Sequence, residues 1–319
     1  MHYDVFNGDA DGILALVQLR LAKPVDSIKI TGVKRDISLL SRVDASNATS
    51  VTVLDISLEK NVDALNELLS NDIPVEYVDH HRPGNIPESA LLNTSIDTDP
   101  NTCTSLIVNR QLDQRHVLWA IAAAFGDNMI DAAMQLAQEN QLSDGNIEKL
   151  KSLGIYVNYN AYGRDVSDLH IAPEALFEAL VQYENPLALI AEHDSVYHQL
   201  AQAYKNDFAL AKSAEVLFDS EILSVIALPD EAWARRISGV FGNDLANQSP
   251  DKAHAVLTIN ADDTYTVSLR APLNNKQGAG DICAKFKTGG GRSAAAGINK
   301  LVKSELELFI QTVTQYYNT

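Results

Sequence analysis

Short β-branched runs alternate with helical runs through the first half of the chain, and no other feature narrows its folding so much. Residues 3–6, 27–33, 51–56 and 74–79 read as strands rich in Val, Ile and Tyr. Between them, residues 12–22, 36–43 and 59–70 carry apolar positions at helical spacing. In the first of these, Ile13, Leu16, Val17 and Leu21 fall on one face. Parallel strands need a crossover, and the crossover is usually a helix, so such alternation predicts a parallel sheet covered on both faces. The expected fold class is α/β.

In an open sheet of this kind the carboxyl ends of the strands line one crevice, where ligands bind. The acidic and imidazole residues gather at those ends. Asp9 and Asp11 follow the first strand, Asp55 closes the third, and Asp79, His80 and His81 close the fourth. Asp127, in the segment FGDN at the end of a helical run, supplies a further carboxylate. Each piece alone has an ordinary explanation: Asp-x-Asp-Gly is common turn chemistry, and an Asp after a strand often caps the next helix. Together these carboxylates repel one another unless cations sit between them. Mixed carboxylate and imidazole donors suit Mn²⁺ or a similar divalent ion better than a structural zinc. One carboxylate shared by two ions about 3.5–4 Å apart is a geometry used for phosphoryl hydrolysis, and central Asp55 is the natural bridge.

Composition excludes several partners. Apolar residues form 46% of the 319, enough for a large core. Lys and Arg number 25 against 42 Asp and Glu, a net charge of −17. That balance counts against a long nucleic acid gripped through its phosphates and against an anionic membrane surface. A small anion at one local basic spot remains compatible with it. Cys103 and Cys283 form no CxxC, so neither a disulfide framework nor a Cys-based zinc site is expected, and a reducing cytosol fits. The chain opens without a basic or apolar leader. Its most apolar stretch, residues 117–125, falls far short of the roughly 20 residues needed to span a bilayer. A cytoplasmic protein is expected.

Residues 102–140 turn mostly helical, as do 173–183 and the stretch from 186. Near 217–226 the composition shifts toward strands, with 255–260 and 265–271 joined by the turn Ala261-Asp262-Asp263. A glycine-rich stretch and a final helix over 302–316 follow. The segment Thr288-Gly-Gly-Gly-Arg292 lets backbone N–H groups approach an anion, and a helix beginning over 293–296 would add a positive dipole end. It lacks the GK[ST] of a P-loop. Gly289, Gly290, Gly291 and Arg292, with Arg270 on the preceding strand, are therefore the expected phosphate-binding groups. Asn158, Asn160, Tyr162 and Arg164 read as a polar–aromatic loop that lines the crevice or lies on the surface. His193 and His198, at i and i+5 on a helix, read as structural, and Trp119 as core.

The segments FNGDADG (6–12), LDIS (54–57), DHHR (79–82) and FGDN (125–128) together resemble, in order and spacing, the motifs of the DHH phosphoesterase superfamily. Its members include RecJ-type exonucleases, nanoRNases that also remove phosphate from pAp, cyclic-dinucleotide phosphodiesterases, exopolyphosphatases and family II pyrophosphatases. VSLRAP (267–272) and GGGRSAAAG (289–297) resemble the DHH-associated substrate-binding domain, so the resemblance covers nearly the whole chain. With the boundary that composition places near residue 215, the expected organisation is a metal-binding catalytic domain over 1–190, a helical connector over 191–215 and a smaller mixed α/β substrate-binding domain over 216–319.

The resemblance also implies roles. One ion would be held by Asp9 and Asp55, with Asn7 standing where the family usually has a His. The other would be held by Asp11, Asp55, His80 and Asp127. Asp79 would orient a histidine, and His81 would face the scissile phosphate. An amide oxygen is a weaker ligand for Mn²⁺, so the first site is expected to be loose or to select another ion. Arg292 stands where a His commonly follows the glycines, and its guanidinium can fork onto phosphate. The expected cofactors are two divalent ions, Mn²⁺ first, with Mg²⁺ or Co²⁺ as alternatives. The expected substrate is a short oligonucleotide, a pAp-like nucleotide or a cyclic dinucleotide. The competing expectations are an exopolyphosphatase or pyrophosphatase, and a nucleotide-binding sensor with weak catalysis.

Overall fold

The computed structural model describes residues 1–318 and divides into two units, Met1–Ala203 and Tyr204–Thr319. In the first unit the alternating runs form β1 (His2–Phe6), α1 (Ala10–Ala22), β2 (Ser27–Ile30), β3 (Ser50–Leu54), α2 (Leu58–Ser70), β4 (Val75–Asp79) and β5 (Leu92–Ile96). The sheet has five strands in the order β2-β1-β3-β4-β5. Every pairing in it is parallel. The chain then runs through α3 (Thr104–Gln111), α4 (Val117–Gly126), α5 (Ile130–Glu139), α6 (Asp144–Tyr159), α7 (Pro173–Leu180), α8 (Pro186–Ala191) and α9 (Val196–Ala211). The division between units falls inside α9.

Both faces of the sheet are buried. Tyr3, Val5, Val51, Val53, Val75 and Tyr77 pack with Leu58, Leu65 and Leu68 of α2. Phe6, Leu54 and Val78 pack on the opposite side with α1, α3 and α4. Alternate residues of each strand thus enter separate cores, as the two-residue period of a strand requires. Helix α1 is buried from Ala10 to Arg20. It does not present a single apolar stripe, because the sheet covers one side and α3 and α4 the other. Its buried cation, Arg20, is neutralised by Asp4 of β1.

Several local expectations are corrected. The helix expected over 36–43 is only a 3₁₀ turn, Leu40–Arg42. The sequence pattern does not predict strand β5 or helix α6: β5 (LNTSI) carries little apolar alternation, and α6 holds interior polar residues such as Asn158. Residue Asn158 therefore lies on a helix rather than in a loop. His193 precedes α9 instead of sharing a helix with His198.

The second unit holds β6 (Glu215–Asp219), β7 (Leu223–Leu228), α10 (Ala232–Gln248), β8 (Ala253–Ile259), β9 (Thr264–Arg270), α11 (Ala279–Cys283), β10 (Gly289–Gly291), β11 (Ala295–Val302) and α12 (Leu306–Tyr317). Its six-stranded sheet runs β10-β11-β9-β8-β7-β6. Only β7 and β8 pair in parallel, with α10 as their crossover. Leu223, Val225, Leu257, Val267 and Leu269 pack with Phe309 and Val313 of α12. Among the described residues, no helix is long and apolar enough to cross a membrane.

Candidate metal centre

The site is built where β1, β3 and β4 end. The backbone turns sharply after β3: Asp55 adopts φ +58°, a left-handed conformation that Asp tolerates better than most residues. Its N–H still bonds Val78 O at 3.1 Å, so the turn stays attached to β4. Asp55, His80 and His81 bring donor atoms within 4.8 Å of one another. His80 Nε2 lies 3.4 Å from Asp55 Oδ1 and 3.8 Å from Asp11 Oδ2. On the other side of the ring, Nδ1 bonds Thr102 O at 3.0 Å. A carbonyl only accepts, so Nδ1 carries a proton, and the ring is held with Nε2 facing the carboxylates.

Asp11 reaches the start of α3. Its carboxylate oxygens accept from Thr104 N at 2.8 Å and Ser105 N at 2.7 Å. These are N–H groups of the first helical turn, which have no intrahelical partner. Thr104 Oγ1 also donates to Asp55 Oδ1 at 3.4 Å. His81 stands at the rim, 34% exposed, with Nδ1 bonded to buried Asp79 Oδ1 at 2.7 Å. The other oxygen of Asp79 is buried without a hydrogen-bond partner among the described residues.

Asp127 follows α4. Asn128 N donates to Phe125 O at 3.1 Å and Met129 N to Ala124 O at 2.8 Å. With Asn128 at φ +61°, this is a Schellman cap, and it fixes Asp127 at the helix end.

The remaining carboxylate, Asp9, has a different surrounding. Its Oδ1 caps α1 by accepting from Asp11 N and Gly12 N at 2.9 and 3.1 Å. Its Oδ2 accepts from the ammonium of Lys34. That ammonium also lies 3.3 Å from Asn158 Oδ1 and 3.6 Å from Asp127 Oδ1. Asn7 is engaged at both ends of its amide. Its Oδ1 accepts from Asp9 N at 3.1 Å, and its Nδ2 donates to Lys34 O at 3.2 Å.

Ionisation follows this asymmetry. Burial pushes the Asp55 carboxyl well above the usual carboxylate range, and the charges of Asp9 and Asp11 push it further. Burial raises Asp11 too, against the pull of His80. Burial would also raise Asp9, but Lys34, with the Gly12 N–H, outweighs it and holds Asp9 low. At His81, burial opposes the charged form, yet the Asp79 carboxylate beside it lifts the imidazole above its ordinary value. Buried carboxylates that resist ionisation, gathered beside the Nε2 of His80, form a donor set short of positive charge. A divalent cation on the Asp11–Asp55–His80 side fits it.

No protein-family model and no curated protein matches the sequence. Solved structures do share its fold. One is the DHH domain of a protein described as a member of a ribosomal-protein family, with TM-score 0.63 and 12% identity over 99% of this chain and 86% of that one. The chain has the DHH-type fold. A DHH-type neighbour, RecJ from Thermus thermophilus in complex with Mn²⁺, gives TM-score 0.58 and 14% identity over 99% of this chain and 52% of that one. Another is the pGpG-specific phosphodiesterase from Vibrio cholerae, with TM-score 0.53 and 12% identity over 100% and 99% of the two chains.

In the second unit the glycine segment is not followed by a helix. Gly289–Gly291 form edge strand β10, antiparallel to β11, with Gly290 opposite Gly297 and Gly291 opposite Ala296. The small residues that suggest a helix instead let β11 lie flat between two strands: a Cβ at Gly297 would meet Val267 O of β9. No helix dipole adds to an anion site there. Arg270 is turned to its own unit. Its Nε donates to Asn243 Oδ1 at 2.5 Å, Nη1 to Ser268 Oγ at 3.0 Å and Nη2 to Gly239 O at 3.0 Å. Arg292 is exposed beside the glycine strand.

Sequence reasoning missed Lys34, Thr104 and Ser105. Lys34 lies in TGVKRD, just beyond a predicted strand, and a cation at that sheet edge was the available signal. The loop expected at 158–164 does reach the site in part. Asn158 accepts from Lys34, and the Tyr162 ring lies beneath its ammonium at 5.6 Å. Asn160 instead clamps Ile171 O at 2.7 Å, and Arg164 N bonds Asp168 at 2.7 Å.

Proposed function

We propose that the chain is a metal-dependent phosphoesterase acting on a small phosphorylated substrate: a short oligonucleotide, a pAp-like nucleotide or a cyclic dinucleotide. The observation that carries this reading is the convergence of Asp55, His80 and His81 at the carboxyl edge of the parallel sheet. Asp11, Asp55 and His80 would hold a divalent cation, Mn²⁺ being the first candidate. When bound, such an ion lowers the pKa of water and offsets the charge of a phosphoryl group. The chain supplies the rest. Thr102 O holds Nδ1–H and so keeps the Nε2 of His80 turned to the carboxylates, and the α3 N-terminus holds the Asp11 carboxylate in place. His81, oriented by Asp79 through Nδ1, offers Nε2 to a phosphate or leaving-group oxygen. No Ser or Cys nucleophile is required.

The fold neighbour named as a pGpG-specific phosphodiesterase supports a nucleotide substrate. The net charge of −17 favours a short one over a long strand. Exposed Arg292 with the glycines Gly289–Gly291 is the phosphate-binding candidate of the second unit. The test is purified protein with Mn²⁺ against pAp, linear and cyclic dinucleotides, polyphosphate and pyrophosphate. Hydrolysis of a nucleotide substrate is expected, and Asp55→Ala should lower it on the order of 100-fold or more. Cleavage of none of these, or full activity in Asp55→Ala, would refute the reading.

A further inference from the structure

The four carboxylates Asp9, Asp11, Asp55 and Asp127 do not share one environment. Asp11 and Asp55 face His80, whose Nε2 lies 3.8 and 3.4 Å from their carboxylate oxygens, so two carboxylates and an imidazole nitrogen converge on one side. Asp9 and Asp127 face Lys34. The ammonium is part of a built position rather than a passing surface contact. It donates to Asp9 Oδ2 and lies 3.3 Å from Asn158 Oδ1 and 5.6 Å above the Tyr162 ring. Its backbone is tied at both ends, Lys34 N to Ala161 O at 2.9 Å and Lys34 O to Asn7 Nδ2 at 3.2 Å. The lysine side chain is only 24% exposed. Asn7 thus uses its amide to seat the lysine segment, and Asp9 has one oxygen capping α1 and the other on the ammonium. The oxygens of both are already engaged, and a divalent ion placed among them would meet a fixed positive charge.

We infer that Lys34 is a built-in cation that takes the place of one metal ion, so that the centre holds a single divalent ion on the Asp11–Asp55–His80 side. Lys34 is a positioning residue here: it neutralises Asp9 and Asp127 and leaves the remaining donors to one ion. Its charge survives chelation, so stripping the metal removes only half of the cationic pair.

The inference rests on the metal reading above, and one measurement separates their failures. Chelator-stripped protein is titrated with Mn²⁺ by calorimetry, and bound manganese is counted by atomic emission after desalting. One ion per chain in a single class of sites is expected. Two ions per chain would overturn the role of Lys34 and leave the metal reading intact. No bound ion would overturn both. The double variant Lys34→Ala with Asn7→His removes the ammonium and restores an imidazole donor, and is expected to bind two. A folded double variant that still binds one would refute the claim that the lysine holds the second position. If that variant does not fold, the wild-type count decides alone.

Discussion

Asp4 and Asp9 sit five positions apart, and each pairs with a cation that sequence spacing does not reveal. Asp9 was legible as a strand-end carboxylate and as a turn residue, because the Asp-x-Asp-Gly pattern is local. Its partner Lys34 was not, because that contact closes over 25 residues. Asp4 was not legible at all: it interrupts an apolar strand, and its partner Arg20 is 16 residues away. Burial of Asp4 favours the neutral acid. Arg20 at 2.5 and 2.9 Å, with His2 and Ser27 Oγ, outweighs it and lowers the pKa from 3.8 to about 2. A folded-state pKa below the unfolded value contributes stability that is present above about pH 4 and is lost as pH falls through about 2. The shift amounts to about 2 kcal/mol. Asp4→Asn strands a buried guanidinium and should cost roughly 3–5 kcal/mol at pH 7. The gap to wild type should narrow by about 2 kcal/mol between pH 4 and pH 2. Urea unfolding at several pH values measures it, and a pH-independent gap would show that Asp4 is not the titrating group.

Among the elements, those with a strong period were legible in the sequence and those made by packing were not. The strands β1, β3 and β4 and helix α2 have period and flanking breakers, and their ends agree with the pattern to within a few residues. Helix α1 is equally legible, but its burial on every side depends on α3 and α4, which arrive some hundred residues later. The start of β11 carries a helical signal because Ala favours a helix locally; pairing with β9 and β10 overrides it. Asp127 shows how an element end makes a site. The cap on α4 needs Asn128 in the left-handed region, at φ +61°. Asn128→Gly keeps that conformation at little cost, whereas Asn128→Val should lose about 1–2 kcal/mol. The valine variant should also move Asp127 and weaken its pairing with Lys34. Urea midpoints of the two variants check this, and equal values would mean the cap does not hold the helix end.

At the scale of the whole chain, the two units have separate sheets and separate cores. The donors for a cation all belong to the first, whose cores draw on β1–β5 and the helices before Ala203. The second has its own core around β7, β8, β9 and α12. An ion that binds only the folded first unit stabilises that unit by mass action, about 2.7 kcal/mol at a free concentration 100 times its Kd. Amides that exchange only when the first unit unfolds should then slow about 100-fold. Buried strands β1, β3 and β4 are where such amides lie. If the units unfold separately, amides in β8 and β9 should exchange at the same rate with and without Mn²⁺. Hydrogen exchange read peptide by peptide at saturating Mn²⁺ distinguishes the cases. Slowing confined to the first unit is expected, because the candidate ligands Asp11, Asp55 and His80 all lie in it and, among the described residues, no apolar residue is shared between the cores. Equal slowing in β8 and β9 would show one cooperative body and refute the division. Slowing in neither would place the ion outside the native first unit.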